Sequence, residues 1–337
     1  MRAAIWLAPG ELEIGRHDDP VPGPADVVVQ VGACGLCGTD VHIADGEFPP
    51  TPYPIVPCHE FAGEVVAVGG EVGATTPALR EGARVAVDPS LFCGHCAYCR
   101  AGRGNLCANW GAIGDTVDGA FAEFVRVPAG NAYPLPEALG DREGALVEPV
   151  SCAVHALHRL GLRTGERALV IGAGTMGLVL LQLLLRDGAS RVAMVDVVED
   201  KLRLAERLGA GPTATSVQAL DEPEGFDVVI DATGVVAALE AGADAVRRGG
   251  RLMVFGVAPA EATMRLSPFR IYNDEITVLG SMAVLHSFGP ALDLMAAGAI
   301  DAAAMLSHDF PLDGFSEALG VVRSGGGVKV QVLPQAD

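Results

Sequence analysis

The sequence predicts an α/β protein in which a parallel sheet follows a region of shorter β segments. Three observations lead to this prediction. Half of the 337 residues are hydrophobic and 43 are glycine, which is typical of a folded chain with many tight turns. Valine-rich segments bounded by Gly and Pro occur through about the first 150 residues. Beyond about residue 167, short apolar runs alternate with helical patterns, as in parallel sheets covered by helices on both faces.

The individual elements follow from these patterns. In the first part, strands are predicted at residues 27–31, 61–68 and 83–87. In the second part, strands are predicted at 168–171, 191–196, 226–231 and 251–255, with helices ending near 186 and covering 200–208. No linker composition interrupts residues 145–160, so we expect a helix shared by two domains there.

Charge and apolar run length exclude several classes of protein. The 23 basic and 42 acidic residues give a net charge of −19, which argues against generic nucleic-acid binding. No apolar run reaches the ~18 residues of a membrane span. The apolar stretch at the N-terminus is cut short by Pro9 and Glu11, which argues against a secretory signal. A cytoplasmic location is therefore expected, where disulfides are a poor default for the eight cysteines.

A glycine loop predicts dinucleotide binding. The spacing Gly172-x-Gly174-x-x-Gly177 follows a predicted strand and opens a predicted helix, whose N-terminus can receive a pyrophosphate. Asp196 ends the next strand, where it can accept both ribose hydroxyls and would repel a 2′-phosphate, so NAD is favoured over NADP. Lys201 is close enough in sequence to reach the same ribose. The alternative is a glycine-rich turn that binds no nucleotide.

Four cysteines predict a structural zinc site. Cys93, Cys96, Cys99 and Cys107 place four thiols within 15 residues, and four thiolates make a closed tetrahedral shell around Zn²⁺. Two disulfides or an iron–sulfur cluster are the alternatives. His95 lies inside the loop and is expected to face solvent.

A second set of metal-ligand residue types is scattered along the chain. Cys37, the pair His59-Glu60 and Glu148 together offer sulfur, nitrogen and carboxylate oxygen, which a catalytic zinc accepts while keeping one position open. Taken singly, the cysteine could be a small buried hydrophobe and the acids surface charges. Spacing alone does not join segments so far apart.

The chain resembles the zinc-dependent medium-chain alcohol and polyol dehydrogenases, in particular the sorbitol dehydrogenase-like branch. The matching pieces occur in the family's order over nearly the whole chain: residues 35–40 (GLCGTD), 59–63 (HEFAG), the four-cysteine loop, Glu148-Pro149, the glycine loop with Asp196, and Gly280-Ser281. The resemblance implies a GroES-like β-barrel catalytic domain at residues 1–147 and a Rossmann domain, a doubly wound parallel sheet, at 148–285. Residues 286–337 would return to the catalytic domain, with the active site in the cleft between the domains.

The same resemblance implies two zinc ions per chain and a ligand set for the catalytic one. Cys37 and His59 would bind it, and Glu60 and Glu148 would compete for the third protein position. Glu148 in place of a cysteine resembles the polyol branch rather than the ethanol branch.

The implied reaction is hydride transfer from a carbinol carbon to NAD⁺, with zinc as the Lewis acid for the substrate oxygen. Thr39 would take the hydroxyl proton, which would leave by way of the cofactor ribose and His42. An ordinary loop histidine is the alternative for His42. The resemblance implies further cofactor contacts in the glycine loop and after the later strands: Met176, Gly256, Val257, Ser281 and Met282.

Three positions depart from the family pattern. Cys58 replaces the usual glycine before the His-Glu pair, and Ala283 and Ile43 stand where sorbitol-type enzymes carry Arg and Tyr. A secondary alcohol, polyol or cyclitol is therefore expected as substrate, with sorbitol itself in doubt. A threonine or amino-alcohol dehydrogenase is the second hypothesis, and a NAD- or zinc-binding protein without turnover the third. A homo-oligomer, by resemblance a tetramer, is also expected.

Overall fold

The computed structural model describes residues 1–48 and 51–336, and its elements follow the predicted change from short β segments to βα alternation. The strands are β1 (Arg2–Ala8), β2 (Glu11–Arg16), β3 (Asp26–Leu36), β4 (Glu60–Val68), β5 (Arg84–Val87), β6 (Ser90–Leu91), β7 (Gly111–Ala112), β8 (Phe124–Pro128), β9 (Ala132–Pro134), β10 (Arg167–Ile171), β11 (Arg191–Val195), β12 (Thr213–Ala214), β13 (Phe226–Asp231), β14 (Val246–Val254), β15 (Thr277–Gly280), β16 (Leu306–Pro311) and β17 (Lys329–Leu333). The α-helices are α1 (Gly38–Asp45), α2 (Val72–Thr75), α3 (Ala97–Arg100), α4 (Asp141–Gly144), α5 (Val147–Leu160), α6 (Thr175–Arg186), α7 (Glu199–Arg207), α8 (Val236–Asp244), α9 (Pro268–Asn273), α10 (Phe288–Ala296), α11 (Ala302–Met305) and α12 (Phe315–Arg323).

The chain divides into two compact units. Unit 1 comprises Met1–Ser151, Val284–Ala297 and the chain from Ala302 onward, and unit 2 comprises Cys152–Ala283 and Gly298–Asp301. The division falls inside α5, at the place where the sequence predicted an uninterrupted helix. Within residues 1–48 and 51–336, no helix combines the length and the apolar character that a membrane crossing requires.

Unit 1 is built on a seven-stranded sheet. Its strand order is β16-β17-β3-β4-β5-β9, and β8 pairs with β3 beside this path. The β3–β4 pair is antiparallel and places Gly35 opposite Glu60, while β17 runs antiparallel to β3 with Val330 opposite Leu36. These registers bring the end of β3, the start of β4 and the start of β17 to the same place in the sheet. The apolar side chains of the sheet form one core with Trp6, Phe121 and Phe315.

Unit 2 is a parallel sheet of six strands in the order β12-β11-β10-β13-β14-β15. The chain order reverses between β10 and β13, which makes the carboxyl ends of these strands the switch point where such sheets bind ligands. All five pairings are parallel, so the carboxyl ends of the strands lie along one edge. The strand interiors are buried apolar residues, as their continuous hydrophobic runs predicted.

Candidate active site

The glycine loop joins β10 to α6 in unit 2. Gly172 follows β10 with φ 101°, and its N–H donates to the Val195 carbonyl at 2.7 Å. Gly174 is the N-cap of α6, and a Cβ there would have no atom within 4 Å. A Cβ at Gly177 would lie 1.7 Å from the Gly172 oxygen, so only glycine lets the helix approach the loop this closely. The loop thus leaves the N-terminus of a 12-residue helix open to an anion.

Asp196 connects this loop to the end of β11. Its Oδ2 accepts the Ala173 N–H at 2.7 Å, and its Oδ1 accepts the Val198 N–H at 2.9 Å. The carboxylate therefore lies beside the glycine loop, where a nucleotide ribose would be held. Lys201 is half-buried near the start of α7, five residues beyond Asp196.

The remaining predicted cofactor residues follow other strands of the same sheet. Gly256 and Val257 come after β14, Ser281 and Met282 come directly after β15, and Met176 lies in the first turn of α6. Since all of these strands are parallel, the structure brings the segments together along one edge of unit 2.

The loop after β13 belongs to the same edge and was missed from the sequence. Asp231 is fully buried, and its carboxylate accepts the backbone N–H groups of Thr233 and Gly234 and the Thr233 hydroxyl. The Asp231 carbonyl accepts the N–H groups of Phe255 and Gly256. Asp231 thereby ties the loops after β13 and β14 together. An Asp at the end of an apolar strand was the available signal.

The four cysteines of the predicted structural site converge in unit 1. The Sγ atoms of Cys93, Cys96, Cys99 and Cys107 all lie within 4.8 Å of one another. The Cys93–Cys99 and Cys96–Cys107 sulfur pairs are each 4.0 Å apart. Zinc–sulfur bonds of ~2.3 Å in a tetrahedron separate the sulfurs by about 3.8 Å, so the cluster fits a zinc ion.

Backbone N–H groups favour the thiolate forms of Cys93 and Cys96, whereas burial and the neighbouring thiols raise the pKa of Cys99 to about 12. The Cys96 N–H donates to the Cys93 Sγ and the Cys99 N–H to the Cys96 Sγ, both at 3.4 Å. Such backbone donors, those of His95 and Cys96 foremost, lower the pKa of Cys93 to about 6, and the pKa of Cys96 is lowered in the same way. His95 itself is exposed, and its Nδ1 lies 2.7 Å from the Cys93 carbonyl oxygen.

A second cluster of ligand types forms where β3 ends and β4 begins. Cys37 directly follows β3 and His59 directly precedes β4, so the pairing of these strands brings the two side chains together. The Cys37 Sγ lies 3.2 Å from the His59 Nε2, and Glu60 also offers an oxygen within the 4.8 Å group. Sulfur, imidazole and carboxylate in this arrangement fit a zinc ion with one position left open.

The other residues predicted for catalysis lie on α1 and α5. Glu148 is buried in the first turn of α5 and is not part of the cluster formed by Cys37, His59 and Glu60. Thr39 and His42 both lie on α1, and the spacing of three residues places them on one face of the helix.

Buried charges surround the second cluster. Asp40 is fully buried, and its burial raises the pKa of its carboxyl to about 6. Burial alone would lower the pKa of Lys329, but the Glu60 carboxylate beside it raises this pKa above its usual value. Lys329 is 1% exposed, forms an ion pair with Glu60 and donates to the Leu36 carbonyl at 3.1 Å. Sequence reasoning missed this cation, since lysine normally indicates surface.

The three departures from the family pattern have clear places in the structure. Cys58 is fully buried and has φ 91°, a backbone conformation that favours glycine. Ile43 is fully buried in the core of unit 1, and its carbonyl accepts the Tyr53 hydroxyl. Ala283 ends the long segment of unit 2 with φ 49°.

The chain matches known families and proteins over almost its full length. Residues 23–137 match the model of the alcohol dehydrogenase GroES-like domain, and residues 175–297 match that of zinc-binding dehydrogenases. D-arabinitol dehydrogenase 1 of Uromyces fabae is 35% identical over 99% of this chain and 97% of its own. L-threonine 3-dehydrogenase of Rhizobium etli is 32% identical over 98% of each chain.

A solved structure is also similar to this chain over nearly its full length. A Sinorhizobium meliloti protein provisionally described as a zinc-binding dehydrogenase, solved with NADP bound, superposes with a TM-score of 0.94 at 36% identity. It covers 99% of both chains. Unit 1 and unit 2 accordingly have the expected folds, a GroES-like domain and a Rossmann domain. The chain belongs to the zinc-dependent medium-chain alcohol and polyol dehydrogenase family.

Proposed function

We propose that the protein is a NAD-dependent, zinc-containing dehydrogenase that interconverts a secondary alcohol of the polyol or cyclitol class and its ketone. The observation that carries the proposal is the convergence of Cys37, His59 and Glu60 within 4.8 Å in a chain of this family. Three ligands of these types hold a zinc ion with a free position, as a catalytic rather than a structural site requires.

Bound at these residues, zinc supplies a Lewis acid for the oxygen of the substrate. Thr39 Oγ1 would accept the hydroxyl proton of the substrate while giving up its own hydroxyl proton, which would leave by way of the cofactor ribose and His42. His42 Nδ1 lies 2.9 Å from Glu47 Oε2, and its side chain is 45% exposed. Its other nitrogen, Nε2, can therefore release a proton to solvent.

Glu60 is proposed as the third protein ligand in preference to Glu148. Glu60 belongs to the cluster, whereas Glu148 does not. The buried Lys329 compensates the charge of Glu60 and holds that carboxylate next to Cys37 and His59. For Glu148 we propose a role in substrate or proton handling.

The test of the zinc site is Cys37→Ser. We expect the variant to lose turnover while keeping its secondary structure and one zinc ion per chain, held by the four cysteines. Cys34→Ser is the matched control, because Cys34 is a buried thiol of β3 that donates to the Val332 carbonyl and lies outside both clusters. Full turnover by Cys37→Ser would overturn the proposal.

NAD is proposed over NADP because of Asp196. Its carboxylate lies at the glycine loop, where it would bind ribose hydroxyls and repel a 2′-phosphate. Because the Sinorhizobium meliloti protein was solved with NADP bound, the cofactor preference of this enzyme needs to be measured. We expect kcat/KM to be higher with NAD⁺, and Asp196→Ala to reduce the preference. A preference for NADP⁺ in the unaltered enzyme would refute the role given to Asp196.

The substrate class is proposed from the relatives and from two substituted positions. The arabinitol enzyme suggests a polyol, but Ile43 is buried in the core and Ala283 carries no polar group, so neither replaces a polyol-anchoring Tyr or Arg. A panel of pentitols, hexitols, inositols and vicinal diols, followed by the absorbance of the reduced cofactor, tests this. We expect D-arabinitol or a related polyol to exceed sorbitol in kcat/KM.

A threonine or amino-alcohol dehydrogenase is the second candidate, because the Rhizobium etli threonine enzyme aligns over 98% of the chain. L-Threonine belongs in the same panel. A kcat/KM for L-threonine above that of every polyol would select this candidate.

We further propose a homo-oligomer in a reducing compartment, as in the cytoplasm. β15 is an edge strand of the unit 2 sheet, and apolar side chains near it are exposed, among them Phe269, Tyr272 and Val278. An exposed strand edge with apolar neighbours suits pairing with a second copy. The two proposed zinc sites require reduced cysteines. Light scattering after size exclusion will give the oligomeric mass, for which we expect a tetramer.

A further inference from the structure

We infer that Asp115 is a positioning residue, which holds the imidazole of His59 so that Nε2 faces the metal position. The inference rests on the proposed zinc site and deepens it by assigning the group that orients one of its ligands. Asp115 belongs to no pattern in the sequence and is known only from its place in the structure.

The contact is direct, and it involves the ring nitrogen opposite to the one near Cys37. His59 Nε2 lies 3.2 Å from Cys37 Sγ, whereas His59 Nδ1 lies 3.1 Å from Asp115 Oδ1. The side chains of His59 and Asp115 are 10% and 7% exposed. Across the described residues, neither Nδ1 nor Oδ1 has a hydrogen-bond partner elsewhere. The two buried polar atoms therefore have each other as partners.

The backbone around Asp115 is built to bring it there. The preceding residue, Gly114, has φ 87°, and a Cβ on it would lie 2.1 Å from the Cys58 carbonyl oxygen. On the other side of the loop, the Gly119 N–H donates to the Val56 carbonyl at 2.7 Å. The loop that carries Asp115 therefore packs backbone to backbone against the segment that leads into His59. A larger residue at position 114 would push Asp115 away from the ring.

Asp40 is closer to His59 in sequence than Asp115 is, but its carboxylate has a different role. Asp40 Oδ2 accepts the Cys37 N–H at 2.9 Å, which completes the capping box at the start of α1. Within the described chain, Asp40 forms no ion pair with His59, whereas Asp115 does. The carboxylate that faces the ring is therefore the one contributed by the distant loop.

A carboxylate in this position has a defined effect on a metal-binding histidine. By accepting from Nδ1–H it selects the tautomer in which Nε2 is free to bind metal, and it makes that nitrogen more basic. Loss of such a partner typically weakens metal affinity by about 10–100-fold.

The experiment measures the zinc affinity of this site in the full-length enzyme. Protein loaded with zinc is titrated with a chromophoric chelator, and the loss of the site is identified by comparison with Cys37→Ser, which lacks it. We expect Asp115→Ala to weaken zinc binding there by about 10–100-fold and Asp115→Asn, which keeps an acceptor oxygen, by less. Asp118→Asn removes a charge from the same loop, keeps the acceptor for the Val56 N–H and is expected to bind zinc as the unaltered protein does.

A spectroscopic readout separates positioning from general loss of structure. Cobalt(II) introduced at the site reports its ligand geometry through its visible absorption, and we expect the Asp115→Ala spectrum to differ from that of Asp118→Asn. Unchanged affinity and an unchanged cobalt spectrum in Asp115→Ala would overturn the inference while leaving the zinc site in place. If the unaltered enzyme held no more zinc than Cys37→Ser, the proposed site itself would fall, and this inference with it.

Discussion

Cys58 combines a buried thiol with a backbone conformation that costs energy for any residue except glycine. Its φ is 91°, and its Sγ lies 3.5 Å from the carbonyl oxygens of Gly35 and Glu60. Strain of this kind costs about 1–3 kcal/mol. The positive φ is the physical reason why glycine would suit this position better than cysteine.

This strain predicts an inverted order of stability. Glycine relieves the positive φ and alanine does not. The free energy of unfolding of Cys58→Gly should therefore exceed that of Cys58→Ala by about 1 kcal/mol, which appears as a higher urea midpoint. Cys34 is an equally buried cysteine inside β3, and there the alanine variant should be the more stable of the two. If the alanine variant were the more stable at both positions, the proposed strain at Cys58 would be contradicted.

A single substitution can test whether His42 releases the substrate proton or has no catalytic role. Its side chain is 45% exposed and contacts Glu47, so its removal should cost little stability. If it releases the substrate proton, His42→Gln should lower kcat by on the order of 10²-fold at neutral pH. His17→Gln, at another partly exposed histidine paired with an acid, is the control. An unchanged kcat would make His42 an ordinary surface histidine of α1 instead of the loop histidine that the sequence left open.

At the scale of elements, the second half of the chain was the more predictable. Strands β10, β11 and β13 begin and end within one residue of the predicted bounds, because a buried parallel strand reads as a continuous apolar run. β14 starts at Val246, five residues before the predicted position 251, since the exposed Arg247 and Arg248 hide its beginning. In unit 1, β16 and β17 gave no comparable signal, because His308 and Asp309 interrupt the apolar residues of β16, and Lys329 and Gln331 interrupt those of β17.

Lys329 is an example of a buried charge that only a pairing between distant strands reveals. The residue opens β17 and places a buried ammonium against Glu60 of β4, although no pattern near it in sequence suggests a partner. The same holds for Asp115 and His59. Sequence and family resemblance indicated Cys37, His59 and Glu60, but the charged groups around them follow from strand order and loop packing, which a single sequence does not display.

The buried ion pair between β17 and β4 predicts a large effect on stability. Once a chelator has removed the zinc ion proposed at Cys37, His59 and Glu60, Lys329→Met should lower the free energy of unfolding by about 3–5 kcal/mol, because it leaves the Glu60 carboxylate buried without a counter-charge. The double variant with Glu60→Gln should regain a good part of this loss. Lys201→Met, at the other lysine of the chain, is the control. Urea denaturation followed by circular dichroism measures each variant, and a loss below 1 kcal/mol for Lys329→Met would contradict the burial argument.

At the scale of the whole molecule, the two metal clusters should behave independently. Both fall in unit 1, yet the cysteine cluster is a closed loop of four thiols whereas the other is assembled from β3, β4 and their surroundings. A closed shell of four thiolates exchanges its metal less readily than a site with an open position.

This difference predicts the order of metal loss. We expect two zinc ions per chain by elemental analysis, and dialysis against a chelator should remove one of them first, together with the activity. Cys96→Ser should instead lose the other ion and unfold at a lower temperature, because the folding energy of that loop depends on its metal. A chelator-treated enzyme that kept full activity with one zinc would contradict the assignment.

The architecture of unit 1 has a consequence for how the protein is made. β17 lies between β16 and β3 inside the sheet, yet it is synthesised after the whole of unit 2. Until the ribosome has passed residue 329, β3 lacks one neighbour and Glu60 lacks its cation. Unit 2 can begin to fold earlier, since nearly all of it is one continuous stretch. The nascent chain therefore completes its nucleotide-binding unit before its zinc-binding unit, and a stalled or shortened product would expose an unpaired strand to aggregation.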